Sequence, residues 1–238
     1  MSFERCIVNV ATGRYCRGQQ RLREALAAAD EPFRMWSEMP RGCPPHEQMP
    51  YAFKAYAMEE ARQTGAELIM WLDASILPIR DLEPIWLYTK QHGVWLSKNW
   101  WNNYVWTADA AYGELFPEFD IATAREVNKT MWHVAGTAFC VDVTHPAGKE
   151  LLNGYIALAC GRAFAGPWWN KAYPDYRNRG GAEVCGPPDV LGHRHDQTAL
   201  SVLAWRAHAI LTDPPRFFAY AGVESSDTVL MADGTINR

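Results

Sequence analysis

Residues 67–75, ELIMWLDAS, contain five consecutive apolar residues that end at a carboxylate. A strand with one face in water alternates apolar and polar side chains. An unbroken apolar run is instead typical of a strand buried on both faces, as in a parallel sheet between helices. Ligands of open α/β sheets bind beyond the carboxyl ends of the strands. Asp73, which follows the run directly, is therefore a candidate binding residue, and capping of the following turn is its alternative role.

Strands and helices alternate along most of the chain. Short apolar runs predict strands at residues 6–10, 33–36, 94–96 and 132–143. Apolar residues at helical spacing predict helices at 19–29, 51–65, 81–92 and 146–164, and a last one opened by residues 192–197. This alternation is typical of an α/β fold with a mostly parallel central sheet flanked by helices.

Length and composition restrict the class of protein. A chain of 238 residues with 48% hydrophobic and 21% charged residues can bury one full core. We expect a single domain over residues 1–238, with its core at about 5–220 and a tail at 221–238. No apolar run approaches the roughly 20 residues that span a bilayer. Glu4 and Arg5 stand where a signal peptide has its apolar segment, so a cytoplasmic protein is expected.

Charge and aromatic content indicate the kind of ligand. The net charge of −4 gives no footprint for tight binding to duplex DNA or to anionic membranes. The 11 Trp, 10 Tyr and 9 Phe suggest flat apolar surfaces for stacking on sugars or bases. Within residues 98–104, KNWWNNY, Trp100 and Asn102 combine a ring with an amide, as sugar-binding sites do. An ordinary ordered loop with buried tryptophans is the alternative.

The cysteines do not form a recognisable framework. All six are scattered and no CxxC pair occurs, so we expect reduced thiols, mostly in the core. Cys185 with His193 and His195 is the one arrangement with zinc-binding chemistry, but it lacks a fourth ligand and a known ligand spacing. Residues 192–196, GHRHD, also differ from the His-x-His-x-Asp-His spacing of binuclear metallohydrolases.

A second polar cluster, GHRHDQ at residues 192–197, opens the last predicted helix. Asp196 can serve there as the N-cap, a role that Asp commonly fills. The free N–H groups and the dipole of a helix N-terminus also attract anions. The cluster, with His193 and Arg194, is therefore a candidate phosphate site as well.

Three other features indicate possible contacts with a ligand. Gly136 interrupts the predicted strand 132–143, and a glycine inside a strand often marks close approach of a ligand or another backbone. The loop at 166–188, with Trp168 and Trp169, has the length of a lid or binding loop. Lys54 falls in a first helical turn, which the dipole does not favour for a cation, and a solvated surface lysine is its alternative reading. The order of elements does not require Lys54 to lie near Asp73.

Four segments together resemble a known family. These are YAFKAY at 51–56, WLDAS at 71–75, AGTAF at 135–139 and GHRHDQTALS at 192–201. They resemble bacterial nucleotide-diphospho-sugar glycosyltransferases of the GT-A fold, notably capsule-associated members with a Leu-Asp-Ala-Gly or Leu-Asp-Ala-Asp turn and a His-Arg-His-Asp-Gln motif. Glycogenin-type galactosyltransferases are more distantly similar. The resemblance spans roughly residues 5–210 and implies one GT-A-like, Rossmann-like domain.

For the donor, the resemblance implies a nucleotide-sugar, with a UDP-sugar favoured. Asp73 and Ser75 match the two acids of the family's Asp-x-Asp motif, which contact ribose and hold Mn²⁺ or Mg²⁺. Ser75 is a poor replacement for a carboxylate ligand, so the metal is in doubt, with Asp73 and His195 as its candidate ligands. Developing charge on the diphosphate must still be neutralised. The further donor-binding candidates are Ala11, Thr12, Lys54, Ala135, Gly136, His193 and Arg194.

For catalysis, the resemblance places Asp196 and Gln197 beside the anomeric carbon. A carboxylate there can act as general base in an inverting enzyme, and the stereochemistry stays open. Candidate acceptor residues are Trp100, Asn102, Trp168 and Trp169. The acceptor itself is a glycan, a lipid-linked sugar or a modified nucleobase.

The sequence therefore predicts a glycosyltransferase that moves a sugar from a nucleotide-sugar to an unidentified acceptor. Two alternatives from other classes stay open. One is a non-catalytic nucleotide- or carbohydrate-binding module on a degenerate transferase fold, in keeping with the missing second acid. The other is a metal-dependent phosphohydrolase that uses Asp73, Asp196 and the histidines.

Overall fold

The computed structural model describes residues 4–161, 163–164 and 187–234. Its strands are β1 (Arg5–Val10), β2 (Phe33–Trp36), β3 (Leu68–Leu72), β4 (Ile76–Pro78), β5 (Val94–Trp95), β6 (Lys98–Asn102), β7 (Trp132–Val134), β8 (Ala138–Asp142), β9 (Phe217–Tyr220) and β10 (Thr228–Ala232). Its α-helices are α1 (Cys16–Ala28), α2 (Ala52–Gln63), α3 (Glu83–His92), α4 (Tyr112–Leu115), α5 (Ile121–Lys129), α6 (Pro146–Cys160) and α7 (His195–Arg206). None of these helices is long and apolar enough to cross a membrane.

The central sheet has five strands in the order β2-β1-β3-β8-β5. Strand β1 is parallel to β2 and β3, whereas β8 is antiparallel to both β3 and β5. Four strands therefore run in one direction and β8 alone opposes them. The predicted α/β class with a mostly parallel sheet is confirmed, and β3 lies in the middle of that sheet.

Side chains of β3 enter two different cores in alternation. Ile69 and Trp71 pack in a core formed with helices α2, α6 and α7. Leu68, Met70 and Leu72 pack in a core formed with α1, α3 and strands β9 and β10. The absence of polar alternation in ELIMWL follows, because neither face of the strand meets water. Since residues two apart share a face, Asp73 is directed toward the same side as Trp71.

The single strand predicted at 132–143 is wrong, because the chain forms two strands there. Strand β7 pairs with β6 in a separate two-stranded ribbon, and β8 pairs with β3 in the central sheet. The turn between them contains Gly136 and Thr137, and the Thr137 carbonyl accepts a hydrogen bond of 2.8 Å from the Asp73 backbone N–H. An apolar run long enough for one strand thus changes sheets at its glycine.

The segment expected as a tail at 221–238 contains a strand of the fold. Residues Thr228–Ala232 form β10, which pairs between β4 and β9 in a three-stranded sheet. The backbone N–H of Asp233 then donates to the Ser75 carbonyl at 3.0 Å. Only the middle of this segment, TVLMA, is apolar, and it is too short and too isolated for periodicity to identify. This late strand holds the turn that follows Asp73.

Candidate functional site

The carboxylate of Asp73 is held at the end of β3 by its own strand. The indole Nε1 of Trp71 donates to Asp73 Oδ1 at 2.7 Å. The Asp73 carbonyl accepts from the Ile76 backbone N–H at 2.9 Å, which closes a tight turn. The Asp73 side chain is 28% exposed, the largest exposure among the three charged groups that meet here. The strand therefore presents an oriented and reachable carboxylate.

Lys54 joins this carboxylate to a second one. Its ammonium lies 3.3 Å from Asp73 Oδ1 and 2.8 Å from Asp196 Oδ2, and it donates to the Gly136 carbonyl at 2.7 Å. Lys54 therefore makes one hydrogen bond and two ion-pair contacts with groups from three other segments. Lys54 is only 3% exposed, and the expected alternative of a solvated surface lysine is wrong.

Lys54 lies in the first turn of α2, which begins at Ala52. Tyr51, which precedes the helix, has a left-handed backbone with φ of 62°. The ammonium then lies 5.3 Å from the ring centroids of both Tyr51 and Trp71. A cation at a helix N-terminus opposes the helix dipole, and here the two carboxylates and the ring faces offset that cost.

Asp196 is the buried member of the pair. It is the second residue of α7 and its side chain is 1% exposed. Burial raises the pKa of Asp196, while the charge of Lys54 opposes that rise. Burial lowers the pKa of Lys54, but the attraction of Asp196 and Asp73 outweighs it and leaves that pKa above its usual 10.5. The two side chains therefore form a contact of 2.8 Å between α2 and α7.

Gly136 fits the site because of space and not because of backbone conformation. A Cβ at this position would lie 2.6 Å from Gln197 Cγ and 3.0 Å from Asp196 Oδ2. The glycine lets the β7–β8 turn approach the first turn of α7 while its carbonyl accepts from Lys54. Three segments that are distant in sequence therefore meet at one ammonium.

Hydrogen bonds from the β6–β7 side fix the first turns of α7. Ser201 Oγ donates to the Gln197 carbonyl at 2.7 Å and accepts from the Val134 backbone N–H at 3.0 Å. Asn99 Nδ2 lies 3.4 Å from Gln197 Oε1. The amide of Gln197, unlike the carboxylate of Asp196, is only partly buried. Gln197 is thus held through its carbonyl and its side chain and stays only partly buried next to Asp196.

The histidines of the GHRHDQ segment are neutral. Burial lowers the pKa of His193 to about 4, and burial together with His193 lowers the pKa of His195 well below 6.5. His195 Nδ1 lies 2.8 Å from the Phe164 carbonyl. The cation of this segment is Arg194, whose guanidinium lies 4.1 Å from the centroid of the Trp106 ring.

The donor set does not fit a divalent metal bound directly between the two acids. The ammonium of Lys54 already lies between Asp73 and Asp196, and Ser75 replaces the second acid of the expected motif. Within residues 4–161, 163–164 and 187–234, no group of three His, Cys, Asp or Glu side chains could hold a metal ion. The metal ligands expected at Asp73 and His195 therefore gain no third partner from the described chain.

The other expected site residues lie as follows. Ala11 and Thr12 directly follow β1, next to β3 in the sheet, and Ala135 is buried just before Gly136. Trp100 and Asn102 lie on β6, and Asn102 Oδ1 accepts from the Val105 backbone N–H at 3.3 Å. Trp168, Trp169 and Cys185 lie outside the described residues.

Two residues of the site were not expected from the sequence. Trp71 orients Asp73. The sequence could have predicted this contact, because residues two apart on a strand share a face. Asn99, which contacts Gln197, has no such signal, because its contact spans 98 positions and depends on the ribbon packing against α7.

The sheet with its single opposing strand, and the acid after β3 facing the start of α7, define a GT-A-type glycosyltransferase fold. The chain is similar to a glycosyltransferase involved in glycosylation of the major capsid of PBCV-1, with 9% identity, a TM-score of 0.52, and coverage of 95% of this chain and 92% of that one. Mouse xyloside xylosyltransferase 1 gives 9% identity, a TM-score of 0.51 and 98% coverage of both chains.

A third structure, the bifunctional glycosyltransferase WbbM, gives 7% identity and a TM-score of 0.54, with coverage of 98% of this chain and 46% of that one. No protein-family model and no curated protein sequence matches the chain. At such low identity these likenesses establish the fold, and the chemistry must be inferred from the site.

We predict that Gly136→Ala destabilises the protein by about 1–3 kcal/mol, because the new methyl group must displace Gln197 and Asp196. Gly113→Ala is the matched control: it lies in α4, where a Cβ meets nothing within 4 Å, and helix propensity favours alanine there by up to about 1 kcal/mol. Urea unfolding of both variants measures the difference. Equal shifts in the two midpoints would contradict the close approach.

Proposed function

We propose that the protein is a glycosyltransferase that moves a sugar from a nucleoside-diphosphate sugar, a UDP-sugar by preference, to an acceptor hydroxyl or amine. One observation supports this most strongly: Lys54 brings the acid at the end of β3 together with the first turn of α7. In open α/β sheets, ligands bind in the crevice beyond the carboxyl ends of the strands. We assign Asp73, which is 28% exposed and oriented by Trp71, and Gln197, which is partly buried, to the edge of that crevice.

The residues divide into two roles. Asp73 and Gln197 contact the donor, and Asp73 is the carboxylate able to accept hydrogen bonds from ribose or sugar hydroxyls. Lys54 and Asp196 are positioning residues. The ammonium of Lys54 contacts the Asp196 carboxylate and donates to the Gly136 carbonyl, so both charged groups are engaged inside the protein. The phosphate-binding role expected for Lys54 is therefore replaced by a structural one, and Asp196 acts through Lys54 and not on the acceptor.

The reaction balances with groups that the donor and acceptor bring. The bond between the anomeric carbon and the diphosphate oxygen breaks, and its electron pair leaves with the nucleoside diphosphate. The acceptor oxygen or nitrogen bonds to the same carbon, and its proton passes to a base or to solvent. Negative charge develops on the leaving diphosphate, which needs a nearby cation. Arg194 is the residue of the GHRHDQ segment that retains a charge for this purpose.

A non-catalytic nucleotide-binding module is the second candidate. The observation in its favour is that Lys54 and Asp196 neutralise each other in the interior, which leaves Asp73 as the accessible acid of the three-residue cluster. A module would bind the donor without releasing nucleotide from it.

Slow release of nucleotide from UDP- or GDP-sugars in water tests the proposal. Asp73→Asn should lower that release by about 10²-fold or more, because a group that contacts the reacting donor is lost. Asp142→Asn is the control: this carboxylate also contacts a lysine, at 3.1 Å from Lys90, but it is 1% exposed whereas Asp73 is 28% exposed. It lies at the far end of β8, opposite Leu68, so it should cost stability and leave release unchanged.

Three results would contradict the proposal. Donor binding with no release would favour the module, and release of phosphate from nucleoside diphosphates lacking a sugar would favour the phosphohydrolase. Equal losses in the two variants would show that Asp73 acts only through stability.

Metal removal gives a separate prediction. Because Lys54 occupies the space between the two acids, the Kd of UDP-glucose or another bound UDP-sugar should agree within about twofold in EDTA and in Mn²⁺. Isothermal titration calorimetry measures both values. A loss of tenfold or more in EDTA would show that a metal contributes to donor binding despite this donor set.

A further inference from the structure

The two-stranded ribbon of β6 and β7 exposes three tryptophans. Trp100 is 68% exposed, Trp132 is 51% exposed and Trp101 is 43% exposed. Large apolar side chains are costly to leave in water, and a group of them on a soluble protein commonly marks a binding surface. We propose that this ribbon binds the apolar faces of uncharged pyranose rings of an acceptor glycan. That the bound glycan is the acceptor rests on the proposed transferase function.

The backbone of the ribbon is distorted where the most exposed indole stands. Strands β6 and β7 pair Lys98 with Val134 and Asn102 with Trp132, and the register shifts between these two pairs. Trp100 lies in that shift with a left-handed φ of 46°. This conformation is unfavourable for a bulky residue. Strain of this kind collects at ligand-binding positions, and bulges redirect side chains there.

The polar groups of the ribbon leave it without net charge. The ammonium of Lys98 lies 2.8 Å from Asp213 and 5.0 Å from the centroid of the Trp132 ring. Asn102 uses its carbonyl oxygen to cap the Val105 N–H, so its NH₂ group is the donor it can offer to a ligand. The ribbon thus offers tryptophan rings and one amide donor, and its lysine is paired with an aspartate. Such a surface matches a neutral sugar better than an anionic polymer.

Two contacts connect the ribbon to residues of the candidate site. Asn99 of β6 contacts Gln197, which borders the donor crevice. Trp101 packs edge-on against Trp106, with 5.8 Å between ring centroids, and Trp106 lies beneath the Arg194 guanidinium. A glycan stacked on the ribbon therefore lies next to the first turn of α7, where its terminal hydroxyl can reach the donor sugar.

The size of the surface favours a sugar over a protein partner. A tryptophan contributes roughly 150–250 Å² when fully buried, so the exposed parts of Trp100 and Trp132, which strand alternation and pairing put on one face, add up to roughly 180–300 Å². A stable protein interface buries about 800 Å² on each partner. Two or three pyranose rings fit the smaller area.

The test measures binding of neutral tetrasaccharides, without donor, by saturation-transfer NMR and calorimetry. The panel is maltotetraose, cellotetraose, chitotetraose and mannotetraose, and at least one should bind the intact protein. The double variant Trp100→Ala/Trp132→Ala should weaken that binding tenfold or more. Trp205→Ala, a 39% exposed tryptophan near the end of α7, is the matched control and should bind as the parent does.

Binding of no tetrasaccharide to the parent, or binding by the double variant within twofold of the parent, would overturn the inference. Circular dichroism melting shows whether the double variant is folded, and Trp132→Ala alone repeats the test if it is not. Asp73→Asn separates the two proposals, since it should retain tetrasaccharide binding while it loses nucleotide release. Glycan binding together with no release by the parent would end the transferase proposal and leave the glycan site standing.

Discussion

The ammonium of Lys54 is the contact on which the candidate site depends. It connects α2 to the end of β3, to the β7–β8 turn and to the first turn of α7. A buried charge is costly unless it is paired and hydrogen-bonded, and Lys54 has two carboxylate partners and donates a hydrogen bond to the Gly136 carbonyl. Removal of one partner would leave an uncompensated charge in the interior, so these four segments are constrained to one arrangement.

The same pairing determines the electrostatics of the pocket. Two carboxylates face one ammonium, and the buried histidines His193 and His195 add no positive charge near neutral pH. The proposed site therefore leaves the counter-charge of a bound diphosphate to Arg194 and to backbone N–H groups. In the proposed site, the buried ion pair of Lys54 and Asp196 is structural, and the more exposed Asp73 and Gln197 contact the donor.

Local sequence patterns predicted the central strand and the α/β class of this protein. They did not predict the strand near the C-terminal end or the change of sheet at Gly136. ELIMWL could only be buried on both faces, so the central strand and the α/β class followed from it. The strand at Thr228–Ala232 gave no usable pattern because it is short and follows a turn-rich stretch. The change of sheet at Gly136 depends on how α7 packs, which no local window contains.

Within the site, the separate polar residues were identifiable but their roles were not. Asp73 and Asp196 stood out as an acid after a strand and an acid opening a helix. That Lys54 lies between them depends on α2 packing beside β3, and a helix N-terminus alone gave no reason to place it there. In our proposal Lys54 and Asp196 are therefore positioning residues, and the roles that the resemblance implies for them stay predictions.

A double-mutant cycle on Lys54→Met and Asp196→Asn, measured by urea unfolding at pH 7, tests the central claim most directly. If the ammonium organises the site, the two changes should couple by about 2–3 kcal/mol. The cost of Lys54→Met should also shrink as the pH falls, because Asp196 without its partner has a still higher pKa in the folded state and is protonated sooner. Additivity within about 0.5 kcal/mol, with no dependence on pH, would contradict the claim.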